Sequence, residues 1–102
     1  MRPTRIRDLK MEEAIEMIEK FEKMYFTGYF SEDFIINKDL QTRRTVQGNY
    51  SVAQKKRVYF DEFFPEHKNK LEWLKNNFPA LASRCERCIK EIDRLRKLVQ
   101  DF

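Results

Sequence analysis

A chain of 102 residues, 41% hydrophobic and 37% charged, has the size of one soluble domain and no room for a second. Two glycines and three prolines are too few for many short strands and tight turns, and Gly28 and Gly48 stand too far apart to build a glycine-rich phosphate loop, which excludes the nucleotide folds that depend on one. One histidine and two cysteines exclude a two-histidine zinc site and a disulfide framework, leaving the layout of a net charge of +4 as the most informative feature.

That layout is segmented: residues 1–10 sum to +3, 11–40 to −5, 41–60 to +5 and 61–102 to +1, with no acid between Asp39 and Asp61. No apolar run approaches the roughly 18 residues that span a bilayer, and an acidic amphipathic segment stands where a signal peptide would carry its hydrophobic stretch. With two thiols only three positions apart, the expected compartment is the cytoplasm, that of an infected host cell included, since a small viral or mobile-element protein fits the size.

Residues 1–8 read as a basic arm, extended or disordered. From Leu9 to Phe26 the residues Met11, Ala14, Ile15, Ile18, Phe21, Met24 and Tyr25 keep the spacing of one helical face, with Glu12, Glu13, Glu16, Glu19 and Glu22 opposite. Asp8 is the expected N-cap, and Glu16 with Lys20 and Glu19 with Lys23 are i,i+4 pairs in the favourable order. Thr27-Gly28 ends this helix. A new element starts at Ser31, a candidate N-cap, with Phe30, Phe34, Ile35 and Ile36 as apolar members; a short helix and an extended piece fit equally well. Residues 41–50 are polar, and Gly48-Asn49 reads as a turn in a loop or a hairpin arm.

Ser51-Val52-Ala53-Gln54 matches a capping box, which predicts a helix from Ser51 to Phe64 whose apolar face is interrupted by Lys55, Lys56 and Arg57. Pro65 is expected to stop it and to enter the first turn of the next helix, Glu66 to Asn77, with His67, Leu71, Leu74 and Phe78 as its stripe. Beyond Pro79, a helix from Ala80 to Gln100 places Leu81, Cys85, Cys88, Ile92, Leu95, Val99 and Phe102 at alternating spacings of four and three, a coiled-coil seam broadened by Ile89 and Leu98. The expected fold is therefore a single all-α domain over residues 1–102, a small bundle of four to five helices with a long C-terminal amphipathic helix. At 1.5 Å per residue that last helix measures roughly 30 Å, about the diameter of the domain, so its end projects unless the first helix covers it. Leu95, Leu98, Val99 and Phe102 are accordingly the candidate face for a homodimer.

Cys85-Glu86-Arg87-Cys88 has the spacing of a redox pair and of half a zinc site, but it falls inside a helix on the apolar seam, where two small buried side chains are expected. His67 has no second titratable group tied to it by spacing, and adjacent carboxylates such as Glu12-Glu13 or Asp61-Glu62 point about 100° apart, so they present no acid and base to one substrate. Neither an active site nor a metal, cofactor, small-molecule substrate or membrane partner is expected. The basic segment 43–60 carries Arg43, Arg44, Lys55, Lys56 and Arg57, with Gln47 and Tyr50 interleaved, a set able to meet phosphates, base edges and ring faces. Residues 34–50 resemble the turn and recognition helix of helix-turn-helix proteins over Thr42 to Val46 only, since Leu40 stands where the turn glycine belongs and Asn49 where an apolar core residue does. Tyr25 to Phe30 is aromatic enough for a protein-binding face. The leading expectation is a non-enzymatic protein that binds a protein partner or itself through its amphipathic helices; the alternative is a nucleic-acid binder using residues 43–60.

Overall fold

Where apolar residues recur every three or four positions the chain is helical, and the computed structural model, which describes residues 10–40 and 52–101, contains no strand among them. Helix α1 spans Met11–Phe26, α2 Val52–Val58, α3 Phe64–Asn77 and α4 Ala82–Asp101. Two π-helical turns, Asp33–Asp39 and Tyr59–Phe63, and a 3-10 turn, Pro79–Leu81, complete a small all-α bundle. The basic arm 1–8, Asp8, the Gly48-Asn49 turn, Ser51 and Phe102 lie outside the described residues.

Helix α1 buries Ala14, Ile18, Phe21 and Tyr25 and leaves Glu12, Glu16 and Glu19 exposed, as its spacing requires. Its N-cap is Lys10 and not the expected Asp8; the Lys10 backbone N–H donates to Glu13 Oε1 at 3.2 Å. At the other end Thr27 donates to Lys23 O through both its backbone N–H and its hydroxyl. The chain then doubles back so closely that a Cβ on Gly28 would lie 3.0 Å from Lys23 O and 3.1 Å from Met24 Cα, which is why a glycine stands there. The Ser31 hydroxyl accepts from the Phe34 N–H at 3.3 Å and donates to Gly28 O at 2.8 Å, so of the two fits for residues 31–40 the helical one is realised.

That helix is a wide one, for a reason visible in its buried side chains. In an α-helix residues five apart diverge by roughly 140°, whereas a π turn, with its i→i−5 bonds, brings them near one face. Ile35 and Leu40 are such a pair, joined by the Leu40 N–H to Ile35 O bond of 2.9 Å, and both are buried. Tyr59 and Phe64 form the second pair, with the Phe64 N–H on Tyr59 O and both rings again inside.

The second π turn also overturns the expectation that Pro65 stops a helix. Residues 52–77 run as one helical stretch, and Pro65 sits in the first turn of α3, directly after the register changes from five-residue to four-residue bonds. Its missing N–H falls on that seam, so no regular bond is sacrificed. Pro65→Ala is accordingly expected to change stability by less than ~1 kcal/mol in urea unfolding; a gain near the ~3 kcal/mol cost of a helix-interior proline would contradict this account.

Helix α4 packs against α3, α1 and the first π turn. Its line Cys85, Cys88, Ile92, Leu95 and Val99 is 0% exposed, against Leu71 and Leu74 of α3 and the inner face of α1. This corrects the projecting end: Leu95 and Val99 need no second chain to cover them, and of the four residues named for self-association only Leu98, at 36%, is exposed among the described ones. Ion pairs clamp the same helices together from outside, with Arg84 on Glu22 of α1 at 2.6 Å, Lys75 on Glu86 at 2.8 Å and Lys68 on Asp93 at 3.1 Å. The Arg84 guanidinium holds the Glu22 carboxyl below its ordinary range.

Candidate functional site

Little large apolar surface is exposed among the described residues. Among the described residues Met11, Tyr29 and Leu98 are the exposed large hydrophobics, and they sit on three different elements. The aromatic run Tyr25–Phe30, expected as a protein-binding face, is mostly turned inward. Tyr25 is buried, Phe26 lies under the Arg87 guanidinium at 4.2 Å, and Phe30 packs against the His67 ring at 4.9 Å. Tyr29 alone presents its ring to solvent, at 72% exposure.

The basic segment divides. Arg43, Arg44, Gln47 and Tyr50 lie outside the described residues. Adjacent helical residues diverge by about 100°, so Lys55, Lys56 and Arg57 point three ways. Lys55 reaches Asp39, pairing with Oδ1 at 3.0 Å and donating to the backbone carbonyl at 2.9 Å. Tyr59, one turn later, donates its hydroxyl to Asp39 Oδ2 at 2.8 Å. Burial, assisted by the Asp39 carboxylate, pushes the Tyr59 phenol above its ordinary value and keeps it a donor. Asp39 thus ties the first π turn to α2 and to the second π turn beside a cavity of about 190 Å³ that Val58 and Phe63 also line. Lys56 turns to another side and donates to Gln100 O at 3.2 Å, at the C-terminal end of α4, where unpaired carbonyls and the helix dipole favour a cation. Arg57 is exposed.

Next to Lys56 is a second group of cations that sequence spacing did not single out. Arg96 and Lys97 of α4 border a groove of about 330 Å³ together with Phe60, Asp93 and Gln100. The Arg96 guanidinium lies 6.0 Å from the centre of the Phe60 ring, and Lys68 holds the Asp93 carboxylate at 3.1 Å. Signal in the sequence is limited to the basic composition of residues 94–97, since nothing local brings Phe60 to Arg96.

The remaining chemistry-bearing groups are buried or half-buried against the core. His67 Nδ1 and the Tyr25 hydroxyl are 2.6 Å apart inside a ring of Phe21, Phe30 and Phe63. Burial pulls the His67 pKa below its ordinary value, against the opposing pull of Glu66, and pushes the Tyr25 phenol up. Both cysteines are 0% exposed, and burial pushes the Cys88 thiol up to about 12 and the Cys85 thiol up as well, the reverse of an activated thiolate. Among the described residues no three metal-ligating side chains converge, and no helix is long and apolar enough to cross a membrane.

Charge separates in the same way. The described residues carry sixteen Lys and Arg against sixteen Asp and Glu, so the whole net charge of +4 belongs to residues 1–9 and 41–51. No family model, no curated protein and no solved structure matches the chain.

Proposed function

We propose that this chain is a non-catalytic binding module acting in the cytoplasm, with nucleic acid as its partner. The observation that carries the reading is the charge partition: a neutral helical body from which residues 1–9 and 41–51 hold all the excess positive charge. Four exposed or half-exposed cations, Lys56, Arg57, Arg96 and Lys97, add to it on α2 and α4. A polyanion is the partner that unbalanced cations of this kind attract, and each phosphate they neutralise releases counterions. Association through amphipathic helices, with a protein or a second copy, loses support because the stripes of α1, α3 and α4 are consumed in the chain's own core; among the described residues exposed Met11, Tyr29 and Leu98 remain in its favour.

With about four cations on phosphate, log affinity for duplex DNA is expected to fall with log salt at a slope near −3 to −4. Changing Arg43, Arg44 and Lys56 to alanine is expected to make that slope shallower by about one for each phosphate no longer neutralised, in fluorescence anisotropy across a salt series. Lys55 is kept in this variant because Asp39 and Tyr59 depend on it. Absence of binding to any DNA or RNA at low salt would reject the reading.

A further inference from the structure

We infer that the groove between Phe60 and the C-terminal half of α4 is a stacking site for an unpaired nucleobase, so that the nucleic acid bound is single-stranded. The inference rests on the polyanion reading above and narrows it. Phe60 is half-buried and steadied from behind by Phe64, whose ring meets it edge-on at 6.1 Å, so the phenyl plane is set before a ligand arrives. Arg96 stands over that plane at 6.0 Å, the outer limit of direct contact, and its exposed side chain can lift to take a flat ring between guanidinium and phenyl. Lys97 lines the same groove and Lys56 reaches the Gln100 carbonyl at its edge, where a backbone leaving the stacked base would need phosphate partners.

The polar lining matches a base as well. Asp93, half-buried and held by Lys68, offers a carboxylate that can accept from an exocyclic amine, and Gln100 offers an amide with both donor and acceptor. A volume of about 330 Å³ lies at the lower end of the range for small-molecule sites, suited to one base and not to a folded partner. In a duplex the base faces are covered by their neighbours, so only an unstacked strand can use Phe60.

Fluorescence anisotropy on the full chain tests this with four labelled probes: a mixed-sequence single strand, its duplex, an abasic strand of the same length, and a poly-glutamate peptide. The expected result is that the single strand binds at least about ten-fold more tightly than the other three, and that Phe60→Leu weakens it by roughly 5- to 100-fold while leaving duplex and abasic binding unchanged. Phe60→Tyr is expected to restore the affinity. Arg96→Ala, at an exposed position, is expected to weaken the base-containing strand by more than it weakens duplex and abasic strand, which lose only its charge, so the test survives a misfolded Phe60→Leu. Equal affinity for abasic and base-containing strands, or indifference to Phe60→Leu and Arg96→Ala, overturns the stacking site and leaves the polyanion reading standing. Equal retention of poly-glutamate also overturns it, in favour of an acidic protein surface, and no binding of any nucleic acid overturns both.

Discussion

Leu95→Ala is expected to destabilise the fold by about 2–5 kcal/mol, read as a fall in the urea midpoint with an unchanged slope. Leu95 is 0% exposed in the middle of the α4 line, between Ile92 and Val99, in the core that α4 shares with α3 and α1. Removing three carbons there forfeits transfer free energy and leaves a void that three packed helices collapse into only partly. Leu98→Ala, three residues on at 36% exposure, is expected to change stability by no more than ~0.5 kcal/mol. The contrast tests where the seam of α4 is covered. If the cover is this chain's own, the midpoint of Leu95→Ala is independent of protein concentration and light scattering gives the same mass for wild type and variant. A midpoint that rises with concentration would return Leu95 to an interface between copies.

Acid is expected to weaken the fold through His67. Burial holds its folded-state pKa below the ordinary 6.5, so between those two values the unfolded chain binds a proton that the folded one refuses. The stabilisation is complete above about pH 6.5 and is lost as the pH falls through the depressed folded value. Geometry gives the same direction. In the tautomer that carries its proton on Nε2, the Tyr25 phenol, kept protonated by burial, donates to Nδ1; protonation of the ring turns Nδ1 into a donor and sets a charge among Phe21, Phe30 and Phe63. The charged groups acting on the ring are Glu66, which favours the charged form, and Lys70, which opposes it, both on its own helix; α1 contributes the neutral Tyr25.

Two variants measure this. Tyr25→Phe is expected to lower stability by about 1–3 kcal/mol, toward the smaller value because His67 is only half-buried and water can replace part of the missing bond. The double change Tyr25→Phe with His67→Phe removes donor and acceptor together, and it is expected to flatten the fall in urea midpoint between about pH 7 and pH 5. An equally steep fall in the double variant would assign acid sensitivity to the carboxylates instead.

The expectation that Pro65 stops a helix fails because it takes α-helical hydrogen bonding there, whereas Tyr59 with Phe64, like Ile35 with Leu40, are five apart and bond through π turns. Periodicity at 100° per residue places the members of each pair on different faces, so no window of sequence shows them as partners. The end of α4 is open in the sequence between projecting and being covered: its length is legible, but which helices lie along it is a matter of packing.

Determined by the sequence alone are the helical class, the inner faces of α1 and α4, the enclosure of Cys85 and Cys88, and the segregation of charge, because each follows from side-chain type at local spacing. Decided only by the tertiary structure are the divergent destinations of Lys55, Lys56 and Arg57, the closure of Leu95 and Val99 within one chain, and the meeting of Phe60 with Arg96 across 36 positions. Such long-range neighbours are set by which buried surfaces exclude the most water together, a property of the whole chain that no stretch of it carries by itself.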